Sequence, residues 1–543
     1  MADNKRKHYM KSYMRDYRSF KKFFNEEEEG KEEDEEEEGK EDGEEEGKED
    51  DDEEEANEND DKKEEGKKDD DEDKEDNEDK EGDEDKEDDE KVGCCKKNGN
   101  TESEVSQSVK TRSFLYKWAV ENNIKSKPLN ELLTHLNSFI KDIPKSGTSL
   151  KNTLRSVDVE NVAGGDFVYI SLKIALSNYV KCFRKPAEFD LIMNVDGTRI
   201  YNCKKKQMWP ILCTINQQGP YAIALWYGEG KPTVLGEYLK KFVAELKFYF
   251  INGYEGLKVI VKAFVCDAPA RAFLKCIKSH SGYDSCERCE EHGEYHKGIR
   301  LLGTKSLIQD NKKFKEKFYS EHQIGKSPLS KLEIPMVTGF ILDYMHLVCL
   351  GVRKKLMKNY INKIGSSVHS KISSQLLEIR KCTPTDFQGW PRSLDEFSDF
   401  KATEFRFFLL YAGIVVMKGK ISHDEYKLLL AFSVAINILL SETMVKDNSM
   451  VSYCKNLLEW FTTESIVFYG PLFASYNVHS IIHLADDVIN HKVSLNKISA
   501  FPFENYLGKI KRKIHSGTYT VAQVVKRLDE QSKVIHLLPK KNQ

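Results

Sequence analysis

Residues 189–197 read FDLIMNVDG and decide the fold, because a nearly unbroken apolar run stops there at an Asp-Gly turn. A run of this length and composition predicts a buried strand. The same pattern predicts further strands at 207–216 and 221–227, and a fourth at 257–266 (LKVIVKAFVC) that stops at Asp267. This part of the chain therefore forms a sheet.

The helices predicted around these strands define the kind of sheet. A helical run at 235–252 separates the third strand from the fourth, and another helix follows the fourth strand through Leu274. Three neighbouring strands, a crossover helix, a strand and a helix are the order expected of a mixed sheet with helical cover. This is also the order of an RNase H-like core, in which one carboxylate lies on the first strand and another just beyond the fourth. Asp196 and Asp267 fall at these two places.

Beyond residue 281 the apolar pattern becomes mostly helical. The clearest helical segments are 340–361, 405–416, 425–444 and 457–467, and a basic helix is predicted at 501–513. We therefore predict an α/β fold, with an RNase H-like mixed-sheet core that is interrupted by a large, mostly α-helical insertion.

The acidic residues are concentrated in one tract. Glu26–Glu90 contains 45 Asp/Glu and 10 Lys, a net charge of -35, and Ala56 is its one hydrophobic residue. The other residues carry 74 Lys/Arg and 45 Asp/Glu, a net charge of +29, although the whole chain has a net charge of -6. The tract cannot bury enough apolar surface to offset its chain entropy, so we predict that it is disordered. The basic body favours an anionic polymer, with nucleic acid as the leading candidate.

Two weaker signals lie on either side of this tract. Residues 5–24 carry eight Lys/Arg interleaved with Tyr, Met and Phe, which suits a solvated helix, a nuclear-import signal or a phosphate-binding arm. Residues 113–122 and 129–140 predict two short amphipathic helices, which form either a helical hairpin or a DNA-reading helix-turn-helix.

Several classes of protein are disfavoured. No run of about 18 apolar residues predicts a membrane span, and the charged, aromatic N-terminus is unlike a secretory signal. Twelve Cys scattered along the chain indicate intracellular thiols instead of a disulfide framework. No phosphate-cradling GxxxxGK[ST] or GxGxxG opens a helix, so we expect no nucleotide cofactor.

Paired carboxylates indicate phosphoryl transfer on DNA. A two-metal mechanism needs about three carboxylates, because hard cations such as Mg²⁺ prefer oxygen ligands. Asp196 and Asp267 can supply two, and Glu504, early in the last basic helix, is our choice for the third. A lone Asp after a strand is also commonly a turn or helix cap. The basic residues of this helix are candidates for contact with the DNA backbone: Lys509, Lys511, Arg512 and Lys513.

The CxxC at Cys286 and Cys289 is the strongest metal signal, because two thiolates at this spacing can bind one Zn²⁺. A tetrahedral site needs two more ligands, which are either the local His292 and His296 or a more distant pair. We favour the distant pair, His479 and His483, which lie at i and i+4 of one helix. The other interpretation is that the cysteines are free thiols and the distant histidines are buried helix residues.

Read together, these motifs resemble those of the transposases of CACTA-type (En/Spm-like, CMC superfamily) DNA transposons, over residues 114–534. The motifs that carry the resemblance are VDG at Asp196, CDAPA at Asp267, the CxxC, DYMHLVCLGV around His346, VHSIIHL at His479 and FPFENYLGKIKR at Glu504. The resemblance implies that Asp196, Asp267 and Glu504 form a DDE triad, and that Cys286, Cys289, His479 and His483 bind zinc. His346 matches the family's MH motif, for which helix packing is an equally good explanation.

The resemblance also implies a domain organisation. We predict a basic aromatic segment (1–25), a disordered acidic tract and linker (26–110), a small helical segment (111–160), the first part of the core (161–280), the helical insertion with the zinc site (281–490) and the C-terminal helix of the core with the last carboxylate (491–543).

The expected function is Mg²⁺- or Mn²⁺-dependent DNA cleavage and strand transfer by a nuclear transposase that acts as a homo-oligomer on transposon ends and target DNA. Two alternatives remain: a catalytically silent, transposon-derived DNA-binding or chromatin protein that retains the fold, and a zinc-stabilised nuclease that does not transpose. Family members often carry a recognisable N-terminal DNA-binding module, whereas this chain has there the acidic tract and the weak helical pair, so the resemblance does not extend to the recognition of specific terminal repeats.

Overall fold

The computed structural model describes residues 101–200, 205–387 and 389–535. The predictions for the basic segment 1–25 and for the acidic tract Glu26–Glu90 lie outside these residues. Within them the protein is a mixed α/β fold, in which one large sheet is followed by many helices. No helix of the described part of the chain has the length and hydropathy that crossing a membrane requires.

In the described part of the chain, ten strands form two sheets. They are β1 (Glu160–Val162), β2 (Gly165–Tyr169), β3 (Phe189–Val195), β4 (Thr198–Arg199), β5 (Lys206–Ile215), β6 (Gln218–Glu229), β7 (Val259–Cys266), β8 (Glu294–Tyr295), β9 (Ile299–Arg300) and β10 (Phe340–Leu342). The main sheet has the order β1-β2-β6-β5-β3-β7-β10, with β4 paired to β5, and β8 and β9 form a small hairpin. From β2 through β6 and β5 to β3, each strand is antiparallel to the next, whereas β3, β7 and β10 are parallel to one another.

Helices cover both faces of the sheet, and most of the later ones form a layer against one of these faces. In chain order they are α1 (Thr101–Glu121), α2 (Ser126–Asn137), α3 (Gly147–Lys151), α4 (Leu172–Cys182), α5 (Leu235–Asn252), α6 (Ala268–Lys275), α7 (Asn311–Lys315), α8 (Lys354–Lys363), α9 (Ser366–Cys382), α10 (Ala402–Phe407), α11 (Gly413–Val416), α12 (His423–Leu440), α13 (Asn448–Tyr469), α14 (Tyr476–Ser480), α15 (Leu484–His491), α16 (Phe501–Lys511) and α17 (Thr520–Ile535). Two π-helical segments, Met345–Arg353 and Phe408–Ala412, lead into α8 and α11.

The sheet separates two hydrophobic cores. Successive side chains of β3 point to opposite faces, so Leu191 and Met193 pack with α4, α5 and α6 on one side while Ile192 faces the helical layer. Both faces of β3 are therefore covered, which explains why its sequence is apolar without alternation. A third, smaller core joins α1, α2 and α3 through Leu115 and Leu133.

The structure agrees with the sequence at some elements and corrects it at others. Strand β3 and helix α5 begin and end at the predicted residues. The helix predicted at 340–361 is wrong at its start, because Phe340–Leu342 is the strand β10, which pairs with β7. The helix expected from Ser113 begins at Thr101. Strands β1 and β2 and helix α4 were not predicted from the sequence.

Candidate metal centres

Three acidic residues follow the three parallel strands at one edge of the sheet. Asp196 comes directly after β3, Asp267 after β7, and Asp343 after β10. Because parallel strands present their carboxyl ends at the same edge, these residues lie in one region, which is where α/β proteins commonly bind ligands. The position after Asp196 must be glycine, since a Cβ on Gly197 would lie 2.6 Å from the ring of Trp209.

Ligand atoms of Asp196, His346 and Glu504 lie within 4.8 Å of one another. Glu504 reaches this point from the first turn of α16, and its Oε1 is 3.8 Å from Nε2 of His346. Burial, together with the charges of Asp267 and Glu504, raises the pKa of Asp196 well above its usual range. A bound cation would offset this crowding of negative charge, so these side chains could hold a metal ion.

Asp267 lies beside this group and is not part of the three-residue cluster. Its Oδ1 caps α6 by accepting a 2.7 Å hydrogen bond from the backbone N–H of Ala270. The helix-cap role that we considered from the sequence is therefore present. Asp267 also acts on the cluster, because its charge contributes to the raised pKa of Asp196.

Asp343 holds His346 and the start of α16 in place. Its buried carboxylate accepts hydrogen bonds from the backbone N–H of His346 (2.9 Å), from Nδ1 of His346 (2.8 Å) and from the backbone N–H of Ala500 (2.7 Å). Burial opposes protonation of His346, but the hydrogen bond and charge of Asp343, together with the charges of Asp267 and Glu504, raise its pKa to about 9. The sequence assigned no metal-site role to Asp343, and for His346 it offered only the MH motif or helix packing. The sequence signal was DYMH after an apolar triplet.

The second candidate centre joins residues that are almost 200 positions apart. Sγ of Cys286 lies 3.4 Å from Sγ of Cys289, 3.3 Å from Nε2 of His479 and 3.6 Å from Nε2 of His483, and Sγ of Cys289 is 3.3 Å from Nε2 of His479. All four side chains are buried. A tetrahedral ion with bonds of about 2.3 Å to sulfur and 2.0 Å to nitrogen separates its ligands by about 3.3 to 3.8 Å. The cluster therefore fits a metal ion such as zinc.

The surroundings of this cluster also suit a metal. His479 donates its Nδ1 hydrogen to the carbonyl of Gly303 at 2.9 Å, which directs Nε2 toward the two sulfur atoms. Burial opposes thiolate formation at Cys286, but its hydrogen bond with Cys289 and the two histidines hold its pKa well below the usual range. The local histidines lie elsewhere: His292 pairs with Asp284 and His296 with Glu294, and both are on the surface.

Two residues between the cysteines connect the two centres. The buried carboxylate of Glu287 accepts hydrogen bonds from Arg271 (2.9 Å), Lys275 (3.0 Å) and the hydroxyl of Tyr476 (2.7 Å). Arg271 in turn donates to the carbonyl of Cys266, the residue before Asp267, at 2.6 Å.

Arg288 makes the corresponding link to β10. It donates to Asp487 at 2.8 and 3.0 Å and to the carbonyl of Phe340. Asp487 also accepts a 2.9 Å hydrogen bond from the backbone N–H of Leu342. The loop of the Cys/His cluster is thus fastened to the ends of the strands that precede Asp267 and Asp343.

The basic residues at the end of α16 differ in accessibility. Lys509, Lys511 and Arg512 are exposed and could contact an anionic polymer. Lys513, which we grouped with them as DNA-binding, is buried and is not available for a direct contact in this conformation. Burial and the charge of Arg527 lower the pKa of Lys513 to about 8. No protein-family model and no curated protein matches the chain.

Proposed function

We propose that the protein is a metal-dependent enzyme that cleaves DNA strands and transfers them, similar to the CACTA-type transposases. The observation that carries this proposal is the convergence of Asp196, His346 and Glu504, with Asp267 beside them, where three parallel strands end. These residues come from distant parts of the chain, and burying several acidic groups together without a function is costly.

The sheet supports an RNase H-like core. Strands β6, β5, β3, β7 and β10 lie side by side, the first three antiparallel and the last three parallel, with β3 at the centre. This is the arrangement expected of that core, with one carboxylate after the central strand and one after its parallel neighbour. In this proposal the insertion is the helical layer after β10, which narrows the predicted range 281–490, because β10 belongs to the main sheet. The chain returns to the core at α16.

Each acidic residue has a distinct task in the proposed reaction. Asp196, Asp267 and Glu504 would hold divalent cations through their carboxylate oxygens, and this would supply activation of the attacking oxygen and stabilisation of the leaving oxygen. His346 donates its Nδ1 hydrogen to Asp343 and presents its Nε2 to the cluster, 3.8 Å from Oε1 of Glu504. Asp343 positions both groups through its hydrogen bonds to His346 and Ala500.

The Cys/His cluster serves as a structural zinc site in this proposal. Its four ligands come from two distant segments, and it leaves no ligand position for a substrate. Through Glu287 and Arg271 it fixes the backbone before Asp267. Nuclear DNA is the proposed partner, because the body of the chain is basic and Lys509, Lys511 and Arg512 extend from the centre along α16.

The experiment that tests this function is nicking of supercoiled plasmid DNA by the purified full-length chain with Mn²⁺ or Mg²⁺. We expect nicked circles with wild type and at least a 100-fold slower reaction with Asp196→Asn or Glu504→Gln, since each removes a charged ligand. Asp166→Asn is the matched control, because Asp166 is an exposed carboxylate on β2.

Equal nicking by wild type and Asp196→Asn would contradict the mechanism. DNA binding without nicking by wild type, in either metal, would favour the alternative of a silent DNA-binding protein with this fold. Nicked DNA that never joins to a second DNA molecule would favour a nuclease over a transposase.

A further inference from the structure

A second positively charged region lies at the far end of α16, where the chain turns toward α17. A cavity of about 310 Å³ opens there between the α1–α2 turn, the loop after α16 and the helix α17. Its lining residues are Asn123, Ile124, Lys125, Ser126, His515 and Arg527. Three separate segments of the chain therefore contribute a basic side chain or a wall to one cavity.

Positive charge accumulates around this cavity. Lys125, His515 and Arg527 line it. The buried Lys151 lies near enough to His515, and the buried Lys513 near enough to Arg527, for their charges to interact. Glu530 is a buried acid among them, and it already pairs with Arg527 at 2.9 Å and with Lys151 at 3.7 Å. The cations consequently outnumber the acid that they share.

The electrostatic effect is visible on the individual groups. Burial and the charges of Arg527, Lys125 and Lys151 lower the pKa of His515. Burial also lowers the pKa of Lys151, to which Arg527 contributes. Glu530 opposes the shift at Lys151. An anion in the cavity would offset the positive charge of the side chains around it.

The cavity is connected to the carboxylate centre by α16. Asn123 reaches the carbonyl of Arg512, the residue after this helix, at 3.5 Å. At a rise of about 1.5 Å per residue, Glu504 and Arg512 are separated by roughly 12 Å along the helix axis. A DNA strand advances about 3.4 Å per nucleotide, so this distance corresponds to three or four nucleotides.

We propose that this cavity, which lies beyond Arg512, binds a phosphate of the DNA backbone at least three or four nucleotides from the phosphate that reacts at the carboxylate centre. The proposal rests on the proposed function for its choice of DNA. Lys125 and Arg527 contact the phosphate, and Ser126 and Asn123 form the wall. The small helical unit α1–α3 thereby acts as a clamp that fixes the DNA relative to Glu504.

The test is binding of a fluorescent 20-base-pair duplex to the full-length chain, without divalent metal, over a range of salt concentrations. Lys125→Gln should lower the slope of log affinity against log salt by about 0.9, which is roughly an eightfold loss at 0.1 M salt. Lys141→Gln is the charge-matched control, because Lys141 is exposed after α2 and does not line the cavity.

A second variant tests whether the phosphate binds in the cavity itself or is attracted only by the general positive charge around it. Ser126→Phe fills the cavity without changing the net charge, so we expect an affinity loss similar to that of Lys125→Gln, with an unchanged thermal midpoint. Inorganic phosphate should compete for DNA more strongly with wild type than with either variant. Wild-type affinity in Ser126→Phe, or equal losses in Lys125→Gln and Lys141→Gln, would overturn the proposal.

The binding assay is independent of catalysis. If the variants bind DNA as expected but wild type never nicks it, the proposed role of the cavity is supported and the proposed enzymatic function is wrong. If wild type nicks DNA and the cavity variants bind like the control, the function stands and the cavity has no role in DNA binding.

Discussion

Glu287 carries the connection between the two metal centres, and replacing it with glutamine removes its charge while keeping its shape. The carboxylate lies among Arg271, Lys275 and Tyr476, and all four side chains are buried. In Glu287→Gln the two cations remain buried without their counter-charge. Breaking a buried ion pair in this way typically costs about 3 to 5 kcal/mol.

The same variant should weaken metal binding at the Cys/His cluster, since Glu287 lies between Cys286 and Cys289. Loss of a partner that orients metal ligands commonly reduces metal affinity by about 10- to 100-fold. Urea denaturation of the zinc-loaded protein measures the first effect, and zinc transfer to a competing chelator measures the second.

Glu290→Gln is the matched control for Glu287→Gln, because Glu290 is exposed and only three residues away. We expect its denaturation midpoint and zinc retention to equal those of wild type. If Glu287→Gln also matched wild type in both assays, the buried network would contribute neither stability nor metal positioning, and the proposed link from the cluster to Asp267 would be refuted.

Three other outcomes can be tested separately. Folding lowers the pKa of Lys513 from 10.5 to about 8, so the charge of its ammonium group destabilises the fold below pH 8. In urea denaturation at pH 7.5, Lys513→Met should therefore be up to about 3 kcal/mol more stable than wild type. This difference should shrink as the pH rises toward 10.5. Removing zinc with a chelator should lower the thermal midpoint of wild type but not of Cys286→Ser, and equal midpoints in chelated and loaded wild type would exclude a structural role. Deleting Glu26–Glu90 removes a charge of -35 and should tighten DNA binding at low salt; unchanged affinity would reduce the tract to a spacer.

The parts of the fold that the sequence predicted are those with a strong local signal. Strand β3 is apolar on both faces and stops at an Asp-Gly turn, and α5 keeps a helical apolar spacing over 18 residues. Strand β10 has no such boundary, because its three residues run directly into a helical segment of similar apolar character. Its position is set by hydrogen bonds to β7, which no local pattern reveals.

The residues of the candidate centres also differ in how far a local sequence pattern predicts their role. The CxxC motif is local, so its spacing alone identifies Cys286 and Cys289 as candidate metal ligands. The sequence leaves two pairs of histidines as alternatives for the other two ligands. Only the folded chain brings His479 and His483 to the thiolates. The role of His346 was equally hidden, since it depends on Asp343, three residues away, and on Glu504, which is distant in sequence.

Binding of Mn²⁺ to the carboxylate centre tests the central claim most directly. The full-length protein is first loaded with zinc at the Cys/His cluster, and Mn²⁺ binding is then measured by electron paramagnetic resonance. We predict that wild type and Asp166→Asn bind Mn²⁺ alike, and that Asp196→Asn and Glu504→Gln each lose at least tenfold in affinity. Equal Mn²⁺ binding by all four proteins would contradict the account.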